Sequence, residues 1–204
     1  MRIIGIDPGL RFTGWGIIES EGNRLHHVAN GVIKTLSTNE LPQRLVEIHD
    51  GIRAVLADYQ PDEAAVEITL ANKNPSSTLK LGMARGIALI TPALVGLPVG
   101  EYLPMIVKKS VVGTGHATKE QVLMMVERLL PGSKVTSTDA SDALAIAICH
   151  AHNVSTGRKW AAGVEDPIAA ALKKAGIEDP RLAKKGAGSG ADKTKGKIRG
   201  KKFR

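Results

Sequence analysis

Four carboxylates stand where chemistry could gather them. Asp7 ends the short apolar run RIIGID, and Glu67 ends the run AAVE. Asp139 and Asp142 lie three residues apart at the head of an apolar stretch, ALAIAIC. On a helix that spacing puts both on one face. Neighbouring strands can bring Asp7 and Glu67 side by side, and a helix laid across their edge can carry the other two acids to the same place. Carboxylates crowded together repel, and their pKa values rise unless a cation intervenes. Magnesium is a hard ion that takes oxygen ligands. Two such ions roughly 3.5–4 Å apart can activate a water and stabilise the leaving oxygen of a phosphodiester. In that chemistry the acids are metal ligands and water is the nucleophile, with no need for a Ser/His/Asp or Cys/His arrangement. Each acid also has an ordinary reading. An acid before Pro8-Gly9 is a common turn residue, and an Asp in a first helical turn complements the helix dipole.

The surrounding pattern says which elements could position these acids. Residues 2–7 read as a buried strand ending in the turn signal Asp7-Pro8-Gly9. Residues 13–19 and 25–34 read as two more strands, joined by the hairpin signal Gly22-Asn23. Three strands in succession suggest an antiparallel opening sheet. Leu41, Leu45, Ile48, Ile52, Val55 and Leu56 then recur at helical spacing over 39–59, with Asn39 as cap and Pro61 closing the segment. Ala64 to Glu67 is a short strand. A polar loop follows, and Ser76 or Ser77 can start a helix running to about Leu94. Val99 and Gly100 suggest a further strand, and helices are expected over 103–111, 118–130 and 139–153. The fold class is therefore α/β, a mixed sheet with helices on both faces.

The totals bound the rest. A chain of 204 residues with 43 % hydrophobic composition can bury one sizeable core, and aromatics at 3 % leave aliphatic side chains and alanine to fill it. The single cysteine, Cys149, excludes an internal disulfide framework and suits a reducing compartment. The opening MRIIGID lacks a signal pattern, so a cytoplasmic address is expected. The longest apolar stretch, Gly86 to Gly100, is short for a bilayer span and contains prolines. The net charge of +8 is uneven. Residues 1–154 hold 14 Lys+Arg against 15 Asp+Glu, a net of −1, while residues 155–204 hold 14 against 5, a net of +9. Basicity is thus a property of the tail, and pI alone says nothing about what the folded part binds. The division expected is a domain over 1–154 and a basic, largely disordered extension over 155–204, with a short amphipathic helix within 165–183. Such a tail could contact phosphates and add salt-dependent affinity, or merely solubilise the chain.

Four ordered blocks carry a family resemblance. The opening IIGIDPGLRFTGWGII, the block NKNPSSTLKLGMARG, the run VKKSVVGTGHATKEQV and the run DASDALAIAICHAH resemble, in that order, the RuvC-type junction resolvases. The likeness spans about residues 1–153. It implies an RNase H-like fold, a homodimer, and cleavage of two opposed strands of a Holliday junction to leave 5′-phosphate ends. It implies magnesium as cofactor, two ions per site, with manganese as an alternative, and partnership with the RuvA and RuvB branch-migration proteins. Carried over by position, Asp7, Glu67, Asp139 and Asp142 are the catalytic, metal-holding acids. Lys108 and Lys119 match basic positions that face DNA, and Lys119, opening the helix KEQVLMMV, could hold a phosphate. On residue type alone, either lysine reads as a solvated surface charge.

Two positions depart from the family pattern. Leu70 stands where related sequences usually carry an aromatic that stacks on bases at the junction centre. Met83 stands where the family commonly shows Gln. The stretch Leu79 to Leu94 mixes Gly82, Ala84, Gly86 and Ala88 with Leu81, Ile87 and Leu89, which suits either a dimer helix or one buried within a subunit. His150 and His152, two apart on a helix, are poor co-ligands and read as surface or satisfied residues; Cys149 reads as a small buried one. His116 in the GTGH loop is a weaker candidate for DNA contact. The leading function is a structure-selective endonuclease. The alternatives are a catalytically weak junction-binding module that recruits the branch-migration motor, and an RNase H-fold nuclease acting on RNA.

Overall fold

The computed structural model describes residues 1–70, 74–135 and 137–155, all within one compact unit that spans 1–160. The basic extension expected beyond residue 155, and the helix expected within 165–183, lie outside the described residues.

Five strands form one mixed sheet. They are β1 (Arg2–Asp7), β2 (Phe12–Glu21), β3 (Arg24–Lys34), β4 (Glu63–Glu67) and β5 (Val99–Tyr102), in the order β3-β2-β1-β4-β5. The first three are antiparallel, whereas β4 runs parallel to both β1 and β5. Gly22, at φ 61°, takes the left-handed turn between β2 and β3 that a two-residue hairpin requires. Five helices complete the fold: α1 (Leu41–Tyr59), α2 (Pro75–Leu94), α3 (Pro104–Val112), α4 (Lys119–Leu129) and α5 (Thr138–Ser155).

Alternation along the central strands divides the core in two. Ile4, Ile6, Ile17, Ala64 and Val66 face α1 and α2, where they meet Ile48, Ile52, Ala84 and Ala88. Ile3, Ile18 and Ala65 face α5, which lies under α3 and α4. Within α5, Leu144, Ile146 and Ile148 are fully buried and the alanines between them nearly so, which makes this a helix enclosed on almost every side. Each buried Leu or Ile contributes about 1.5–3 kcal/mol.

Two helix starts differ from the sequence expectation. Asn39 does not cap α1. The cap position is Glu40, without a side-chain bond, and the Asn39 amide instead donates to Glu47. The α2 cap is Asn74, not Ser76 or Ser77, and it accepts both serine N–H groups at 3.0 and 3.3 Å. Pro75 explains the shift. Proline suits the first helical position because its missing N–H is not needed there, so the cap falls on the residue before it.

Candidate functional site

The site is built at one edge of the sheet. The register of β1 and β4 pairs Ile6 with Val66, so the next pair along is Asp7 and Glu67. By strand alternation Asp7 shares a face with Ile3 and Gly5, and Glu67 with Ala65. That is the face on which α5 lies.

Glycine is what lets α5 lie so close. A Cβ on Gly5 would overlap the Ala143 carbonyl oxygen and stand 2.7 Å from Ala147 N. A Cβ on Gly14, the residue paired with Asp7, would overlap the Asp139 carbonyl. A Cβ on Gly16, paired with Gly5, would stand 2.7 Å from the Leu144 side chain and 3.0 Å from its backbone N. These three glycines form a smooth floor, and the first turn of α5 rests on it beside Asp7. Ser137 caps that turn, its Oγ accepting the Ala140 N–H at 3.1 Å. The far end of the helix is pinned differently. His150 is fully buried; its Nε2 lies 2.7 Å from Glu63 Oε2 and its Nδ1 2.8 Å from the Tyr102 hydroxyl. Burial pushes the His150 pKa down. A neutral ring donates from Nε2 to the carboxylate and accepts the tyrosine proton at Nδ1. Glu63 and Glu67 share one face of β4, so the same strand holds the foot of α5 and presents an acid at its head.

The four acids feel one another. Burial first, then the negative charges of Glu67, Asp142 and Asp139, push the Asp7 carboxyl well above the usual carboxylate range. Burial and Asp142 push Glu67 up to about 7. Asp142 is also raised, by burial first and by Asp139, against the opposing pull of Lys119 and Lys108. Lys119 opens α4, whose start is fixed by a reciprocal cap: Thr118 Oγ1 accepts Gln121 N–H and Gln121 Oε1 accepts Thr118 N–H. Its ammonium stands 3.5 Å from Asp142 Oδ2 and remains 68 % exposed. Lys108 on the half-buried side of α3 lowers both Glu67 and Asp142, so it faces the same cluster.

The structure therefore brings Asp7, Glu67, Asp139, Asp142, Lys108 and Lys119 to one place. Leu70 lies just beyond Glu67 and is 62 % exposed. His116 sits exposed in the loop before α4, and Cys149 is buried. Among the described residues no three His, Cys, Asp or Glu side chains close into a ready metal cage. The donor set nevertheless suits a hard divalent cation: oxygen ligands only, mutually repelling, half shielded from water. The glycine floor and the Glu63–His150–Tyr102 clamp were missed in the sequence. Gly14 and Gly16, at alternate positions and pairing across from Asp7 and Gly5, were the available signal.

Raised carboxyl pKa values set a pH dependence. Without cations, the folded protein holds protons on Asp7 and Glu67 that an unfolded chain releases near the ordinary values of 3.8 and 4.5. The Glu67 contribution to stability is complete below its ordinary value and is lost as pH rises through about 7, and Asp7, raised in the same direction, acts with the same sign. Metal-free protein is expected to melt at lower temperature at pH 7.5 than at pH 5.5, and added magnesium to raise the melting temperature far more at the higher pH. Equal magnesium stabilisation at both pH values would contradict this.

Comparison with known proteins agrees with the geometry. Residues 3–150 match the family model "Crossover junction endodeoxyribonuclease RuvC". A protein of that name from Paramagnetospirillum magneticum is 62 % identical over 164 residues, covering 80 % of this chain and 99 % of its own. The structure of Thermus thermophilus RuvC in complex with a Holliday junction substrate superposes with a TM-score of 0.72 at 33 % identity, covering 78 % of this chain and 97 % of that one. The yeast mitochondrial Holliday junction resolvase Ydc2 shares the fold, with a TM-score of 0.56 at 13 % identity over 76 % of this chain and 81 % of its own. The mixed five-stranded sheet flanked by helices is the RNase H-like architecture that the sequence blocks imply. With a family match across nearly the whole described unit, and a relative that it covers almost end to end, the chain belongs to the RuvC family of crossover junction endodeoxyribonucleases.

Proposed function

We propose that this chain is a structure-selective endonuclease that resolves Holliday junctions by paired, magnesium-dependent hydrolysis of phosphodiesters, leaving 5′-phosphate ends. The observation that carries the reading is the electrostatic convergence of Asp7, Glu67, Asp139 and Asp142 at the junction of β1, β4 and α5. Asp7 and Glu67 would hold cations from the sheet side, and Asp139 and Asp142 from the helix side. When bound, two such ions supply positive charge against the phosphate and lower the pKa of the attacking water. The protein's own part is placement. The strand register sets Asp7 beside Glu67, the glycine floor sets the height of α5, and Lys119 and Lys108 offer exposed or half-exposed charge to the DNA backbone. The test is nicking of a synthetic four-way junction in magnesium, beside linear DNA and RNA duplexes. Selective, paired cuts in the junction support the reading; binding without cutting favours the recruiting module, and cleavage of RNA alone favours an RNA nuclease.

The Leu70 departure has its own consequence. Base–aromatic stacking contributes about 1–3 kcal/mol per base. Leucine can wedge between bases but cannot stack on them in the same way. Leu70→Phe is expected to tighten junction binding or sharpen the preferred cleavage sequence, read by gel shift and by mapped cleavage. No change in either would refute the assignment of Leu70 to the DNA.

A homodimer through α2 completes the proposal. Leu79, Met83, Ile90 and Leu94 are exposed along that helix, and a Cβ on Gly82 or Gly86 would meet nothing within 4 Å. Two sites on a two-fold axis match a two-fold junction. Light scattering at micromolar concentration should give a dimer, and Ile90→Asp a monomer; a wild-type monomer would remove the dimer. RuvA and RuvB are the partners proposed, and the cytoplasm the location. Among the described residues no helix is long and apolar enough to cross a membrane.

A further inference from the structure

The loop between β1 and β2 is strapped more tightly than its length requires. Thr13 Oγ1 donates to Gly9 O at 2.7 Å, and Thr35 Oγ1 donates to Leu10 O at 2.6 Å. Arg44 reaches the same Leu10 oxygen with Nη2 at 3.1 Å and Thr35 Oγ1 with Nε at 2.9 Å. The Thr35 N–H donates to Arg11 O at 3.2 Å. Gly9 sits so close to Phe12 that a Cβ there would overlap the Phe12 carbonyl. Four of these five bonds end on the carbonyl oxygens of Gly9, Leu10 and Arg11, yet the two side chains displayed there, Arg11 and Phe12, both remain exposed.

The two displayed groups belong together. The Arg11 guanidinium carbon lies 5.2 Å from the centroid of the Phe12 ring, within cation–π range, and Phe12 is 38 % exposed. Phe12 shares a face of β2 with Gly14, the glycine that pairs with Asp7 and abuts Asp139. Because β2 runs antiparallel to β1, Phe12 stands past the Asp7 end of that strand. Leu70 stands past the Glu67 end of β4. The acids are thus flanked by an aromatic ring on the β2 side and by an aliphatic side chain on the β4 side. Lys34, directly across from Phe12 on β3, adds a second cation.

A single exposed ring is common on protein surfaces and needs no explanation. A ring held out by a pre-organised loop, under a guanidinium and at the lip of an acid cluster, is a different object. Its chemistry suits a flat aromatic group carried on a phosphate: the ring face stacks, and Arg11 and Lys34 meet the backbone charge. We propose that Phe12 and Arg11 form a base-stacking subsite for a nucleotide of the DNA strand beside the scissile phosphate. This subsite rests on the junction-resolving reading above and adds to it a contact on the side of the site opposite Leu70.

The test uses the full chain and four-way junctions carrying 2-aminopurine, one position at a time, within two nucleotides of the expected cut, in a chelator so that no strand is cleaved. Wild-type protein should quench the probe at one of those positions. Phe12→Leu should lose the quench and bind roughly 5- to 150-fold more weakly. Phe12→Trp should restore both, whereas a merely structural role for the ring would leave the quench in place. Unchanged thermal unfolding of Phe12→Leu separates the effect from folding. Equal quench and affinity in wild type and Phe12→Leu would overturn the subsite while leaving the nuclease untouched. A wild type that binds and quenches but never cuts in magnesium would overturn the nuclease and leave the subsite standing; one that binds no junction would overturn both.

Discussion

Asp7→Asn should lower single-turnover cleavage of a four-way junction by roughly 10³-fold or more, with junction affinity in chelator hardly changed. The substitution keeps the shape of the side chain and removes its negative charge. Burial first, then the charges of Glu67, Asp142 and Asp139, raise the Asp7 carboxyl well above its ordinary value. Its ionisation therefore depends on a neutralising cation. Charge stabilisation of the transition state by bound cations amounts to several kcal/mol, and each 1.36 kcal/mol is tenfold in rate. A neutral amide in place of the Asp7 carboxyl adds no negative charge against the phosphates, so junction binding in the absence of metal is retained and binding and cutting separate. Cleavage by Asp7→Asn within tenfold of wild type would show that the acids are not the source of the chemistry.

Gly14→Ala should also slow cleavage, by less than Asp7→Asn, although it removes no carboxylate. The added methyl group would overlap the Asp139 carbonyl, a backbone atom that cannot swing aside. Helix α5 must rise from the sheet, and it carries Asp139 and Asp142 with it. Overpacking of this kind destabilises by about 1–3 kcal/mol. A displacement of about 1 Å in a reacting group can cost about 10²-fold in rate. The expected result is a folded, less stable protein with junction binding retained and cleavage reduced on the order of 10²-fold. Gly5→Ala, which would strike Ala143 in the next turn, should behave alike. Wild-type cleavage by Gly14→Ala would mean that the height of α5 does not set the site.

These two substitutions mark what could and could not be read from residue order. Asp7 and Glu67 were legible because each ends a short apolar run, and strand ends in one sheet share an edge. Asp139 and Asp142 were legible because their spacing is helical and the stretch after them is apolar. The strands and helices themselves followed from period and turn signals, down to the left-handed Gly22 between β2 and β3. Helix caps were less legible, since a single proline moved the α2 cap from the serines to Asn74. The glycine floor under α5 was not legible. It depends on Gly5 pairing with Gly16 and Asp7 with Gly14, which is a register, and on a helix more than a hundred residues away lying across them. The Glu63–His150–Tyr102 clamp was equally hidden, because a histidine in an apolar helix does not announce its partners. Arg11 and Phe12 lie within the opening run IIGIDPGLRFTGWGII, yet nothing in residue order shows that their loop is braced by Thr35 and Arg44.

The central claim is that four distant acids meet to hold divalent cations at the end of β1. Anomalous diffraction from crystals grown with manganese tests it most directly, since manganese scatters distinctively and takes the same oxygen ligands as magnesium. Two anomalous peaks are expected among Asp7, Glu67, Asp139 and Asp142, both lost in crystals of Asp7→Asn or reduced to one. Manganese bound elsewhere on the protein, with that cluster empty at saturating concentration, would contradict it.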